Sequence, residues 1–213
     1  MVFSLKSGYV KFVPVLAAGA LVIAGCSDGG DSAPTTAAET SISASQTAVP
    51  QGVNAADIEF LEGMYPHHAQ ALDMAKMVEG RTDNAELIAL AAQIEAAQDP
   101  EMQQMSEMLT QWGRPDPASN PTGGMDHSGH GVGMADMPGM MSDDDMAEMM
   151  DAQGVEFDKM WLTMMIEHHT GAITMSQTEL DSGLDPTAEK LAEEIIAAQQ
   201  AEIVQMQAML AAL

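Results

Sequence analysis

The chain has 213 residues, room for one compact domain with a leader and a linker. Its 7 Lys and Arg against 32 Asp and Glu give a formal net charge of −25, which excludes the basic patches that nucleic-acid binding requires. A single cysteine excludes an intramolecular disulfide and a Cys-rich zinc site, and 4% aromatic residues argue against a β-rich fold.

Residues 1–26 read as an export signal. Lys6 and Lys11 supply the positive flank, and the apolar run Phe12 to Ala24 is too short for a spanning helix of roughly 20 residues. The run ends in Ile23-Ala24-Gly25-Cys26, which resembles a bacterial lipobox, so Cys26 is the expected lipidation site, with a plain secretory signal as the alternative. Loss of Lys6 and Lys11 with the leader moves the formal charge from −25 to −27. Residues 27–55, rich in Ser, Thr, Ala, Gly and Pro, cannot bury enough surface to offset their ordering entropy and read as a flexible tether. Together these segments predict a domain anchored to the outer face of a bacterial cell membrane, or a periplasmic one.

The rest of the chain is one unit written twice. Residues 56–112 align without a gap to 157–213 at an offset of 101, pairing Asp57 with Asp158, Met64 with Met165, His67-His68 with His168-His169 and Met74 with Met175. Gln98/Gln199, Glu101/Glu202, Met105/Met206 and Met108/Met209 continue the register. In the first copy Phe60, Met64, His67, Ala71, Met74 and Val78 lie on one helical face. A break follows at Gly80 to Asn84, with Gly80 as C-cap, and then a second helix from about Ala85 to Gln111. Pro66 removes one backbone donor from the first helix and should kink it near Gly63. The second copy predicts helices near Val155–Leu180 and Thr187–Leu210, preceded by a short acidic helix capped by Ser142. The predicted fold is all-α, an antiparallel four-helix bundle built from two duplicated helical hairpins in residues 56–213.

Several residues on the inner faces are poor core residues. Gln98 and Glu101, and their repeats Gln199 and Glu202, place an amide and a carboxylate where the core should lie, which is costly without a compensating cation or donor. His67 and His168 share a line with Met64, Met74, Met165 and Met175. His68 and His169 are either ligands or hydrogen-bonding orienters of ligands, and for Met105, Met108, Met206 and Met209 packing alone suffices. Between the copies, the loop 113–141 contains the Met/His/Gly-rich stretch 123–141. Met125, Met134, Met137, Met140 and Met141 there have no expected packing role, and His127 and His130 can meet one ion; a solvated linker is the alternative.

Thioether sulfur is a soft donor that selects Cu(I), and imidazole takes Cu(I) or Cu(II). A di-iron site would want Glu-x-x-His, which the chain lacks, and a calcium loop is absent. Copper is therefore the expected ion, Cu(I) preferred and Cu(II) possible, with Met64, His67, His68, Met74, Glu101, Met125, His127, His130, Met134, Met137, Met165, His168, His169, Met175 and Glu202 as candidate ligands.

The stretches Met-Tyr-Pro-His-His-Ala-Gln-Ala and Met-Ile-Glu-His-His-Thr-Gly-Ala-Ile, with the two later Ala-Ala-Gln-x-x-Glu stretches, resemble the bacterial family known as domain of unknown function 305. The resemblance implies a ferritin-like four-helix bundle, export, and copper binding with a role in copper tolerance. It maps onto Met64, His67, His68, Met74, Met165, His168, His169 and Met175. The expected function is a copper-binding lipoprotein, not an enzyme, that buffers, stores or hands on copper, with a copper-transfer protein as its possible partner. The alternatives are a metal-dependent oxidase or peroxide-handling enzyme and a metal-independent surface adaptor.

Overall fold

The computed structural model describes residues 50–119 and 137–213. Cys26, the leader, most of the expected tether, and Met125, His127, His130 and Met134 lie outside the described residues. Five helices form: α1 (Ala55–Lys76), α2 (Ala85–Gln111), α3 (Asp143–Asp151), α4 (Gly154–Ser182) and α5 (Pro186–Ala212), with one 3₁₀ turn at Pro117–Ser119 and no strand among the described residues. The four long helices are the two expected hairpins, α1 with α2 and α4 with α5, joined mainly along α1 and α4; α3 packs on α4. No helix among the described residues is long and apolar enough to cross a membrane.

Each start is set by a polar cap. Asn54 accepts from the amides of Ala56 at 2.7 Å and Asp57 at 3.1 Å, so the fold begins inside the last residues of the expected tether. Asn84 caps α2, Ser142 and Asp145 form a reciprocal box on α3, and Asp185 with Pro186 opens α5. Helix α1 runs as one helix through Pro66, and α2 through Pro100. The cap of α1 is Met77 rather than Gly80; Arg81 donates to the Met77 carbonyl at 3.0 Å, and Gly80, at φ +74°, lies in the turn that follows.

The duplicated aspartates tie the hairpins together. Asp57 on α1 accepts from the backbone amides of Leu184 and Asp185, both at 2.9 Å, in the turn of the other hairpin. Its counterpart Asp158 on α4 accepts from Asn84 at 3.2 Å, in the turn of the first. Each unit thus braces its copy's turn, which fixes how α1 and α4 face one another.

The interior is divided. One apolar cluster holds Leu87, Leu90, Ile94, Trp161, Leu162 and Met206, among others. The other holds Leu61, Met105, Leu109, Leu191, Ala192 and Ile195, among others. Along α2 the passage from Ile94 in the first to Met105 in the second crosses Gln98 and Glu101. Along α5 the passage from Ile195 to Met206 crosses Gln199 and Glu202. The bundle therefore carries a polar layer across its middle.

Candidate metal centre

All four helices supply that layer. From α1 and α4 come His67, His68, His168 and His169, each 0% exposed; from α2 and α5 come Gln98 and Gln199, each 2% exposed. Glu101 and Glu202 close the layer's edge, half-buried, and each holds one imidazole: Glu101 accepts from His68 Nε2 and Glu202 from His169 Nε2, both at 2.7 Å. The central rings, His67 and His168, meet obliquely across the α1–α4 contact with centroids 3.8 Å apart and planes tilted by 41°.

These contacts set the chemistry of the nitrogens. A carboxylate or carbonyl oxygen only accepts, so Nε2 carries the proton in His68, His169 and also His67, which donates to the Pro138 carbonyl at 3.1 Å. In the neutral ring each Nδ1 holds a lone pair, and none of the three has a hydrogen-bond partner; on His168 both nitrogens lack one. A carboxylate that fixes the proton on one imidazole nitrogen and leaves the other free is the arrangement that orients metal-binding histidines. Burial, reinforced by the neighbouring His68, pulls His67 down to about 3, and burial with His67, His169 and His68 nearby pulls His168 well below its ordinary value. Both central rings are therefore neutral at any ordinary pH, the form that binds metal.

Methionines bracket the layer. Met64 and Met175 pack with the cluster on one side, Met74 and Met165 with the cluster on the other, as the repeat symmetry requires. Met105 and Met108 belong to the first pair's cluster, Met206 and Met209 to the second pair's. No group of three or more His, Cys, Asp or Glu side chains among the described residues stands close enough to hold an ion. A hard cage of nitrogen and charged oxygen is therefore not preassembled among the described residues. Two shallow clefts, of about 300 and 360 Å³, lie elsewhere, lined by residues such as Arg81 and Gln153 in one and Tyr65 and Gln103 in the other.

The end of the expected exposed loop corrects the reading of its methionines. Met137 (6% exposed) and Met141 (8%) are buried and have a packing role, and Met140 is half-buried. The segment 137–141 lies as a strap on α1 and α4. Gln70 accepts from the Met141 amide and donates to the Met141 carbonyl, both at 2.8 Å. Pro138 and Gly139 press so closely on Gly171 that any side chain there would strike the Pro138 carbonyl. At Gly63 the missing side chain leaves room for two thioethers: a Cβ would stand 2.9 Å from Met175 Cε and 3.5 Å from Met137 Sδ. Met137 thus reaches the layer's side beside Met175. The offset of 101 places Gln70 opposite Gly171 and Gly63 opposite Met164, so the strap sits on one face only and the two half-sites differ. Sequence patterns could not show this, since the strap is held by its own backbone groups on Gln70 and His67 and by the room left at Gly63 and Gly171.

The family model "Domain of unknown function (DUF305)" matches residues 57–210. A DUF305 fragment from Deinococcus radiodurans is 31% identical with a TM-score of 0.65, the match covering 76% of this chain and 99% of that one. The protein CopM in its Cu(II)-bound form is 35% identical with a TM-score of 0.57, covering 72% of this chain and 95% of CopM. In its Cu(I)-bound form the figures are 30%, 0.57, 72% and 94%. No curated protein matches the chain.

Proposed function

This chain belongs to the DUF305 family, and on that premise we propose that it is an exported copper-binding protein, anchored through Cys26 to the outer face of the membrane, that buffers, stores or hands on copper. The observation that carries this reading is the central layer. Of its buried polar atoms, Nδ1 of all four histidines, Nε2 of His168 and the amides of Gln98 and Gln199 have no protein partner. An unsatisfied buried polar atom costs about 1–3 kcal/mol, and most of the set, Nδ1 of each histidine and the glutamine amide, recurs in both copies, so that the duplicated chain carries that cost twice. A coinage ion taking imidazole nitrogen and thioether sulfur would offset it, and CopM, of the same fold, is solved with Cu(I) and with Cu(II).

Glu101 and Glu202 act in this reading by holding His68 and His169, while Met64, Met74, Met165 and Met175 supply sulfur. The histidines and glutamines of the layer are buried, which suits holding an ion better than presenting it to oxygen or peroxide, so storage or transfer is favoured over an oxidase. The strap at 137–141 follows directly in the sequence on the stretch with Met125, His127, His130 and Met134, whose donors would capture further ions. The formal charge of −27 left once Lys6 and Lys11 are lost with the leader raises local cation concentration within roughly 10 Å of the surface.

The test is a competition titration against a Cu(I) chelator. The variant carrying His67→Ala, His68→Ala, His168→Ala and His169→Ala should lose high-affinity binding while remaining helical. A folded variant that binds Cu(I) as tightly as the parent would overturn the reading.

A further inference from the structure

Gln98 and Gln199 have no part in the imidazole and thioether set, yet they are the most anomalous residues of the layer. Each is 2% exposed, and neither the amide nitrogen nor the amide oxygen of either residue has a protein partner. One turn earlier the same helical faces carry Ile94 and Ile195, fully buried in the apolar clusters. An apolar residue would be the cheaper occupant of such a position. The amide nonetheless recurs in both copies, three residues before the glutamate that grips an imidazole. That spacing places each amide one helical turn from its glutamate, on the same face and inside the layer.

We infer that Gln98 and Gln199 are the oxygen donors through which the layer accepts Cu(II). This rests on the copper-binding reading and extends it from one oxidation state to two. Cu(I) is soft and is served by imidazole and thioether; Cu(II) is harder, favours nitrogen and oxygen, and takes an amide oxygen as a neutral ligand. Histidine is common to both sets. The methionines beside the layer and the glutamines within it then divide the two states between them, without requiring a charged carboxylate in the core.

The experiment uses the full-length protein at limiting copper, so that the tightest site is read. Cu(I) and Cu(II) affinities are measured by separate chelator competitions for the parent, for Q98L/Q199L and for Q98E/Q199E. The leucine variant should lose about tenfold or more in Cu(II) affinity, keep its Cu(I) affinity, and melt at a higher temperature without metal because the unpaired amides are gone. The glutamate variant should retain Cu(II) binding, with an altered Cu(II) electron paramagnetic resonance spectrum. Equal losses for both ions, or no change for Cu(II), would overturn the assignment while leaving the copper reading in place. A parent protein that binds neither ion would overturn both.

Discussion

His168 → Leu tests what the central layer costs the metal-free protein. His168 is 0% exposed, and both of its ring nitrogens lack a partner. Leucine removes two unsatisfied atoms at about 1–3 kcal/mol each, against about 1 kcal/mol for imperfect fit of the new side chain. The net expectation is a gain of about 1–5 kcal/mol, so Tm should rise by at least about 2 °C for a domain of this size. Acid unfolding supplies a second reading. His67, held near 3, and His168, held well below its ordinary value, stay neutral in the fold, while the unfolded chain takes up their protons near 6.5. The unfolded state therefore binds more protons below that pH, and stability falls as pH drops, by up to about 1.4 kcal/mol per pH unit per group. Loss of His168 should remove one such contribution. The assay is thermal and urea unfolding of metal-free protein between neutral and acid pH, with Cu(I) affinity measured alongside. A variant that melts lower than the parent, with an unchanged acid slope, would show that the layer satisfies its own nitrogens and would refute the reasoning.

Removing the glutamate grips, Glu101→Ala with Glu202→Ala, should lower Cu(I) affinity about 10–100-fold with helix content retained; unchanged affinity would mean that the carboxylates do not orient His68 and His169. Gly171→Ala drives a methyl into the Pro138 carbonyl and should lift the strap, costing about 1–3 kcal/mol. Peroxide oxidation of Met137 followed by mass spectrometry would report it, and unaltered protection would count against the strap's close packing. At the bundle end, burial and the adjacent Asp57 push Glu179 up to about 8 from 4.5. Burial alone would raise Asp57 too, but the amides of Asp185, Asn54 and Leu184 hold it below its ordinary value. The folded state keeps the Glu179 proton that the unfolded chain releases, so stability should fall as pH rises from about 4.5 to about 8. Glu179→Gln should flatten that slope, and an unchanged slope would exclude Glu179 as its source.

Periodicity made the helices legible, because most of the inner stripe recurs at an offset of 101 and the caps Asn84 and Asp185 stand in register. It also placed the histidines on inner faces, where the structure has them 0% exposed. Burial of Gln98 and Gln199 was readable from the same stripe, but their lack of partners was not, since that depends on what three other helices bring. The fold's cross-brace was out of reach for the same reason: Asp57 bonds to amides 127 and 128 residues away. Composition misled at Met137 and Met141. A glycine-rich stretch looks solvated, yet its last residues pack where Gly63 and Gly171 leave space on the neighbouring helices. Glycines read as loop signals say nothing about the contacts that their missing side chains permit elsewhere.

The most direct measurement is copper K-edge X-ray absorption of the Cu(I)-loaded protein with residues 120–136 deleted, which removes Met125, His127, His130 and Met134. The expected spectrum shows imidazole scattering together with sulfur at thioether distance, and loses both when His67, His68, His168 and His169 are replaced. A first shell of oxygen alone, or one indifferent to those four histidines, would contradict a copper centre in the middle of the bundle.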